Sequence, residues 1–441
     1  MSLFGSPEHS SRSRSRRHAI VSILDIGSNK ICCLIGRMVP RDLSEAESLR
    51  ARTHTIEILG IGHQRSRGIK SGVVANLDAA EHAIRLAVDA AERMAGMTVE
   101  SLIVNISCGR LSSETYSASV ALSREAVGEP DIGRVLAAGR RHSVTDGRSI
   151  VHSLPIGYSL DADGGIADPR GMVGDRLGVD MHMVTADSQP LRNLELCINR
   201  CHLSIETLVA SPYASGLSVL VDDEAELGCA CIDFGGGTTT IAVFSKGQFV
   251  HVDAVAMGGN HITTDIARGL STRIEDAERL KTMYGSALTS TNDDRDILLV
   301  PPIGEDERDV PNQVPRSALT RIIRPRIEEI LELARDRLNA SGFASLVGRR
   351  MVLTGGGSQL TGLAEAARRV LARNVRLGRP LGVTGMPEFA KGPAFATAAG
   401  LLIYPQVAEM EQLDARGEPR LAMTGTGGYF ARVGQWFRES F

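Results

Sequence analysis

Residues 228–247 read GCACIDFGGGTTTIAVFSKG. An apolar run ends in Asp233, turns through Gly235-Gly236-Gly237-Thr238-Thr239, and returns as a second apolar run. Short apolar runs bounded by glycine read as buried strands, so the stretch predicts a β-hairpin with a carboxylate near its tip. Residues 19–36, AIVSILDIGSNKICCLIG, repeat the plan, with Asp25 ending the first run and Gly27-Ser28-Asn29-Lys30 making the turn. Glycine lacks Cβ, so backbone N–H groups there can approach an anion. Ser28, Thr238 and Thr239 add hydroxyl donors, Asn29 an amide, and Lys30 a point charge. A carboxylate repels a phosphate chain unless a cation lies between them. Asp25 and Asp233 are therefore expected to hold Mg2+, largely through its waters.

A third glycine cluster lies in MVLTGGGSQLTGLAEAARRVL, residues 351–371. A strand-like run enters Gly355-Gly356-Gly357-Ser358 and a helical pattern leaves it, so a nucleoside or phosphate could rest near that helix N-terminus. One such turn is a weak signal. Three in this order, about 210 and 120 residues apart, are far more specific.

With these three turns the chain resembles the actin-like ATPase superfamily. The resemblance implies an α/β, two-lobed fold of duplicated ribonuclease H-like domains, each on a mixed five-stranded sheet, with ATP and Mg2+ in the cleft. In its chaperone-like and MreB-like members a Glu, and a Lys three residues later, hold the ribose and adenine. Glu278 and Lys281 match that spacing. Alone, the pair would read as an exposed i,i+3 ion pair. Many DxGGGT loops of the superfamily carry a second acid seven positions after the first, and here that place is Thr240. No catalytic base can be named, and slow turnover at best is expected.

Within the superfamily, SRGIKSGVVANLD (66–78), LPIGYSLDADGGIADPRGMVGDRLGVDMHMVT (154–185), ASPYASGLSVLVDDEAELGCACIDFGGGT (210–238) and AMGGNHITTDIARGL (256–270) resemble the FtsA family of cell-division proteins. The resemblance implies a first lobe (1A) from 18–106, 184–210 and 386–404. It implies an inserted SHS2-type 1C subdomain over 107–183, a second lobe (2A) from 211–262 and 346–385, and a 2B subdomain over 263–345. It further implies tethering of FtsZ polymers, the Z ring, to the cytoplasmic face of the inner membrane at the division site. Self-assembly and recruitment of later division proteins through 1C go with it. The FtsZ C-terminal peptide would dock on 2B, where Arg326 and Glu329 are candidates; an ordinary solvated face is the other reading of these two.

Local patterns fill in the outline. Asp78–Ala95 reads as a helix with a capping-box-like start at Asp78 and Glu81 and with Ile84, Val88, Ala91 and Met94 on one face. Residues 287–317, rich in Asp, Pro and Asn, read as a surface excursion. Pro325 is expected to open a helix with Ile327, Ile330, Leu331, Ala334 and Leu338 on one side. The run Pro393–Leu402 suits a closely packed hinge helix.

The chain has one Trp, six Tyr and ten Phe, and five of these aromatics fall in its last fourteen residues, GYFARVGQWFRESF. After a tether expected over 405–428, residues 429–441 form a membrane-targeting amphipathic pattern. At 100° per residue, Phe430, Val433, Trp436, Phe437 and Phe441 share an arc of about 140°. Arg432 and Arg438 flank it, which suits a helix lying in a lipid interface. Docking on the protein's own core or a partner's groove is the competing reading.

Composition constrains the rest. The 441 residues are 43% hydrophobic and 23% charged, with a net charge of −3, which gives no reason to expect a nucleic-acid partner. No apolar stretch reaches the roughly 18–20 residues of a spanning helix. Residues 1–17, Ser/Arg-rich and lacking an apolar h-region, read as a disordered basic tail rather than a secretory signal. Seven cysteines show no paired C-x-x-C spacing, which fits a reducing compartment. Cys197 and Cys201 beside His202 read as a packed helix face before a metal site. Two rival functions remain. A sugar-kinase-like phosphotransferase would share the cleft but needs an acidic base that no motif supplies. A PilM-type actin-like platform lacks a reason for the tethered terminal helix.

Overall fold

The computed structural model describes residues 19–40, 52, 54–107, 110–123, 126–142, 144–303 and 310–412. The first lobe begins with β1 (Ala19–Ile26), β2 (Lys30–Pro40), β3 (His54–Arg65), the short hairpin β4 (Ile69–Lys70) and β5 (Val73–Val74), α1 (Leu77–Ala95) and β6 (Ser101–Ile106). An insert follows: β7 (Ser112–Ala121), α2 (Glu129–Arg140), β8 (Arg148–Leu160), β9 (Asp163–Ile166) and β10 (Arg176–Asp187). The chain returns through α3 (Ser188–Arg200) and β11 (Ser204–Ala210), then crosses by α4 (Ser211–Val219) and α5 (Asp222–Leu227). The second lobe holds β12 (Cys229–Phe234), β13 (Thr239–Ser245), β14 (Gln248–Val255), α6 (Gly259–Gly269), α7 (Ile274–Tyr284), β15 (Ile297–Val300), β16 (Asn312–Pro315) and α8 (Arg316–Ala340). It closes with β17 (Arg350–Thr354), α9 (Leu363–Leu371) and β18 (Asn374–Leu377), before β19 (Val383–Thr384) and α10 (Ala396–Gln412) rejoin the first lobe.

The two lobes share one sheet plan. In the first, β1, β2 and β3 form an antiparallel meander and β6 and β11 extend β1 in parallel. In the second, β12, β13 and β14 form the meander and β17 and β18 extend β12 in parallel. Central strands covered on both faces must be apolar throughout, which is why CACIDF is buried along its whole length. The first sheet departs from the expected five strands, because two-residue β19 adds a sixth at the outer edge of β3. The insert is a separate sheet, ordered β7-β10-β8-β9, with Val135 and Leu136 of α2 buried in its own core.

α4 and α10 join the lobes and cross closely. A Cβ on Gly400 would lie 1.7 Å from the Ala214 carbonyl oxygen, so only glycine permits the approach. This crossing fixes where the ends of β1 and β12 face each other.

Several local expectations change. The α1 cap is Asn76, whose Oδ1 accepts from the Ala79 N–H at 2.9 Å, and Asp78 sits in the first turn. Met94 is 57% exposed, because it falls about 80° around the helix from Ile84, at the edge of the buried stripe. Pro325 does not open a helix but lies inside α8. An interior proline costs about 3 kcal/mol, and burial of Leu319 and Ile323 ahead of it offsets that at roughly 1.5–3 kcal/mol each. The 287–317 excursion contains the β15–β16 hairpin, with Leu298 and Val300 buried and Ile297 and Leu299 exposed, a period-2 alternation. Finally, α10 runs through Pro405 to Gln412, so the first part of the expected 405–428 tether is helix. Tyr404 and Ala408 are buried there and the His54 N–H donates to Gln406 Oε1 at 3.2 Å, contacts that carry the helix past the proline.

The basic tail (1–17), the rest of the tether and the 429–441 segment with Phe430, Arg432, Val433, Trp436, Phe437, Arg438 and Phe441 lie outside the described residues. Among the described residues no helix is long and apolar enough to cross a membrane.

Candidate nucleotide cleft

The two hairpin turns close in the same way. Gly27 N–H donates to the Lys30 carbonyl and Gly235 N–H to the Thr238 carbonyl, both at 2.9 Å. A Cβ at Gly27 would lie 2.9 Å from Lys30 O, and one at Gly235 would lie 2.8 Å from Thr238 O, so close packing requires both glycines. The turns face each other across the lobes. A Cβ on Gly236 would meet the Asn29 side chain at 2.8 Å, and one on Gly237 would meet Ser28 Oγ at 2.4 Å and Ser71 Cα at 2.8 Å. The β4–β5 turn seals this end, with Gly72 N–H donating to Ser28 Oγ at 3.0 Å.

Behind the turns lies a cavity of about 530 Å³, within the usual range for small-ligand sites. Its walls include Asp25, Gly27, Ser28, Asn29 and Lys30 from the first lobe. Asp233, Gly235, Gly236, Gly237, Thr238, Glu278, Lys281, Gly355, Gly356 and Gly357 come from the second. Two expected residues are not on the wall. Thr239 alternates to the other face of β13, where its hydroxyl donates to the Met257 carbonyl at 2.8 Å. Ser358 turns its hydroxyl back onto the Gly355 carbonyl at 2.7 Å.

Lys30 Nζ lies 3.0 Å from Asp25 Oδ2 and 4.1 Å from the centre of the Phe395 ring. Burial, the largest single influence, would lower the Lys30 ammonium, but the Asp25 charge, Cys32, the hydrogen bond to Asp25 and a smaller pull from Asp233 together outweigh it and hold Lys30 above its ordinary value. Asp233 is pushed up by burial, partly relieved by the Ser215 hydroxyl at 2.5 Å, raised further by Asp25, and lowered by Thr397 at 3.2 Å. The net result is a carboxyl raised above its ordinary value. Gly355 has φ +85°, and a Cβ there would lie 2.2 Å from Asp233 Oδ1. On the second-lobe wall Glu278 Oε2 accepts from Lys281 Nζ at 2.6 Å and from Thr263 Oγ1 at 2.5 Å. Lys281 also donates to the Gly259 carbonyl at 3.1 Å.

This donor set suits a polyanion with a hard cation. The glycine turns leave no room for Cβ atoms and so present backbone, and every acidic or hydroxyl group near Asp233 offers oxygen, the ligand type of Mg2+. A cation beside such a carboxyl would offset the effect of burial and of the neighbouring carboxylate and favour its charged form. The cavity also includes Asn105, Ser211, Gln359, Leu360 and Thr397, which the sequence reading missed. Asn105 had a signal, as a lone amide in the apolar strand SLIVNI; it accepts from Ile26 N–H at 2.6 Å and donates to Ser211 Oγ at 3.0 Å.

Other candidates lie elsewhere. Arg326 on α8 holds Asp265 through Nε at 2.6 Å and Nη2 at 3.2 Å, and Glu329 through Nη1 at 2.5 Å. The Asp265 and Glu329 carboxylates lift its guanidinium above the ordinary value. Cys197 is fully buried beneath α1, and burial pushes its thiol up to about 12; Cys201 donates to the Glu81 carbonyl at 3.7 Å.

Comparison with known proteins places this geometry. The model of "Cell division protein FtsA" matches residues 230–400, and that of the "SHS2 domain inserted in FTSA" matches 108–185. The cell division protein FtsA of Rhizobium meliloti (strain 1021) is 61% identical over 445 residues, covering 100% of both chains. Among solved structures, the PilM–PilN type IV pilus biogenesis complex aligns with a TM-score of 0.58 at 17% identity, over 89% of this chain and 99% of that one. MreB5 of Spiroplasma citri bound to ADP aligns at 0.50 and 13% identity, over 90% and 99%. These two likenesses establish the actin-like fold. Full-length identity at this level, with both parts of the chain matched by that family's models, decides the assignment: the chain belongs to the FtsA family of cell division proteins.

Proposed function

We propose that this cell division protein binds ATP with Mg2+ between its lobes and ties FtsZ polymers to the cytoplasmic face of the inner membrane at the division site. The observation that carries the nucleotide reading is the pair of identically closed glycine turns facing each other over Asp25, Lys30 and Asp233. The turns and Ser28, Asn29 and Thr238 would hold the phosphates, Asp25 and Asp233 the hydrated Mg2+, and Glu278 and Lys281 the ribose and adenine. Gly355–Gly357 would support the nucleoside. The ion neutralises the phosphate chain. Lys30 remains protonated across the neutral range, since Asp25 holds it above its ordinary value.

Because both lobes contribute wall residues, a bound nucleotide favours the closed arrangement by as much as it prefers it. Closure would favour self-assembly, and assembly would multiply weak membrane contacts through Phe430, Val433, Trp436, Phe437 and Phe441, edged by Arg432 and Arg438. The FtsZ peptide would dock on 2B near Arg326 and Glu329, and later division proteins on the insert.

Turnover is expected to be slow. The place seven residues after Asp233, where a carboxylate could orient attacking water, is Thr240. The same feature weighs against a phosphotransferase.

The test measures ATP binding and sedimentable assembly for the parent, Asp233→Asn and Gly236→Val. Both substitutions are expected to weaken binding more than tenfold and to reduce assembly together. Loss of affinity with assembly unchanged would refute the coupling.

A further inference from the structure

One tie between the lobes lies outside the cavity wall. Arg65, the last residue of β3, places Nη1 3.0 Å from Glu275 Oε1 in the first turn of α7. Each partner continues a row of cleft residues. Arg65 is opposite Lys30 in the β2–β3 register, and opposite residues of an antiparallel pair project to the same face. Glu275, Glu278 and Thr282 are spaced i, i+3 and i+7 along α7, and the last two line the cavity. The ion pair stands where these two rows meet, at the rim of the cleft.

Arg65 also begins a strap over the glycine turns. The next residue, Ser66, donates its N–H to the Asn29 carbonyl at 2.9 Å. The chain then bends through Gly68, Ser71 and Gly72, all at positive φ. Gly72 N–H donates to Ser28 Oγ at 3.0 Å, and Ser71 Cα lies where a Cβ on Gly237 of the other lobe would meet it at 2.8 Å. Opening the lobes therefore requires the strap to leave Gly237 and Arg65 to leave Glu275.

We propose that Arg65 and Glu275 form a clasp across the mouth of the cleft that sets how fast the lobes open and a bound nucleotide leaves. The inference rests on the nucleotide reading above and adds a control on exchange. The two side chains are 63% and 77% exposed, so the pair contributes little to folding and is screened by salt. An opening equilibrium responds to small energies, because only the closed state makes the contact. Ionic strength thereby acts on exchange through a pair that touches no nucleotide.

The test uses the full chain and follows release of a fluorescent ATP analogue in Mg2+, together with hydrogen exchange at residues 235–238 of the ligand-free protein. Both positions are exposed, so the variants are expected to fold. Glu275→Gln should speed release about 2–5-fold, and Glu275→Arg, which sets two cations together, about 3–10-fold. Exchange at 235–238 should quicken in the same order. The double variant Arg65→Glu with Glu275→Arg should return to within about 2-fold of the parent. Raising NaCl from about 50 to about 500 mM should speed release from the parent more than from Glu275→Gln. Parent-like release and exchange in Glu275→Arg would overturn the inference, as would a double variant no slower than the single one. A parent that binds no ATP analogue would overturn the nucleotide reading, and the ligand-free exchange of Glu275→Arg would still decide the clasp.

Discussion

Gly355 and Gly237 lie in the same cleft for different physical reasons, and substitution separates them. Gly355 has φ +85°, and an added methyl would lie 2.2 Å from Asp233 Oδ1, so both backbone and space forbid it. Gly355→Ala is expected to cost about 1–3 kcal/mol in urea unfolding and also to abolish detectable ATP binding. Gly237 has no such backbone constraint, but a methyl there would meet Ser28 Oγ at 2.4 Å and Ser71 Cα at 2.8 Å, atoms of the opposite lobe. Gly237→Ala should act as a wedge, weakening ATP at least tenfold while stability changes by less than about 1 kcal/mol. Gly133 in α2 is the control for sign, since nothing lies within 4 Å of its missing Cβ. Gly133→Ala is expected to stabilise the protein by about 0.5–1 kcal/mol in the same urea measurement.

At the scale of elements, β10 meets β14 through His182. Its Nδ1 lies 2.7 Å from the Phe249 carbonyl, its Nε2 lies 2.7 Å from Ser113 Oγ, and its ring stands edge-on to Phe249 at 4.9 Å. Burial lowers the imidazole to about 3, against the bond to Phe249, with His251 and His152 adding repulsion. The folded value is thus below the unfolded one, about 6.5. Its contribution to stability is full above about pH 6.5 and is lost as pH falls toward 3. Urea unfolding from pH 7 to pH 5 should show the parent losing stability more steeply than His182→Gln, and parallel slopes would contradict this. The insert is thereby fastened to the second lobe through a ring whose burial, rather than its bond to Phe249, makes the contact sensitive to acid. The α4–α10 crossing is the other critical contact, where Gly400→Ala should cost more than about 3 kcal/mol by forcing the helices apart. Elements of this kind divide what sequence reveals from what it hides. The two DxG hairpins were readable because strand period and glycine are local signals. So were most expected cleft residues, because each glycine turn carries its own chemistry. Ser211 and Thr397 were not, since α4 and α10 meet the cleft only through the helix crossing, and the lone amide of Asn105 in an apolar strand marks a buried polar site without saying which site. Pro325 and Pro405 misled for a related reason: tertiary burial of Ile323 and Tyr404 outweighs a local break.

For the whole molecule, the proposed function couples three weak events: nucleotide would close the lobes, closed chains would assemble, and assembled chains would stay on lipid. A short interfacial helix gains little, because ordering it costs about 1–2 kcal/mol per residue against partial burial of five large side chains. Joining copies raises effective concentration and can improve retention by 10²-fold or more. Residues 428–441 fused to an inert dimer should therefore bind liposomes more tightly than the same segment fused to a monomer. Equal binding would remove the reason for coupling assembly to membrane residence. The most direct measurement is co-sedimentation of FtsZ with anionic liposomes, in Mg2+ and ATP, using the full chain and a form ending at residue 428. The account predicts that the full chain carries FtsZ into the liposome pellet and the shortened form leaves it in solution. Equal FtsZ in the two pellets would contradict it.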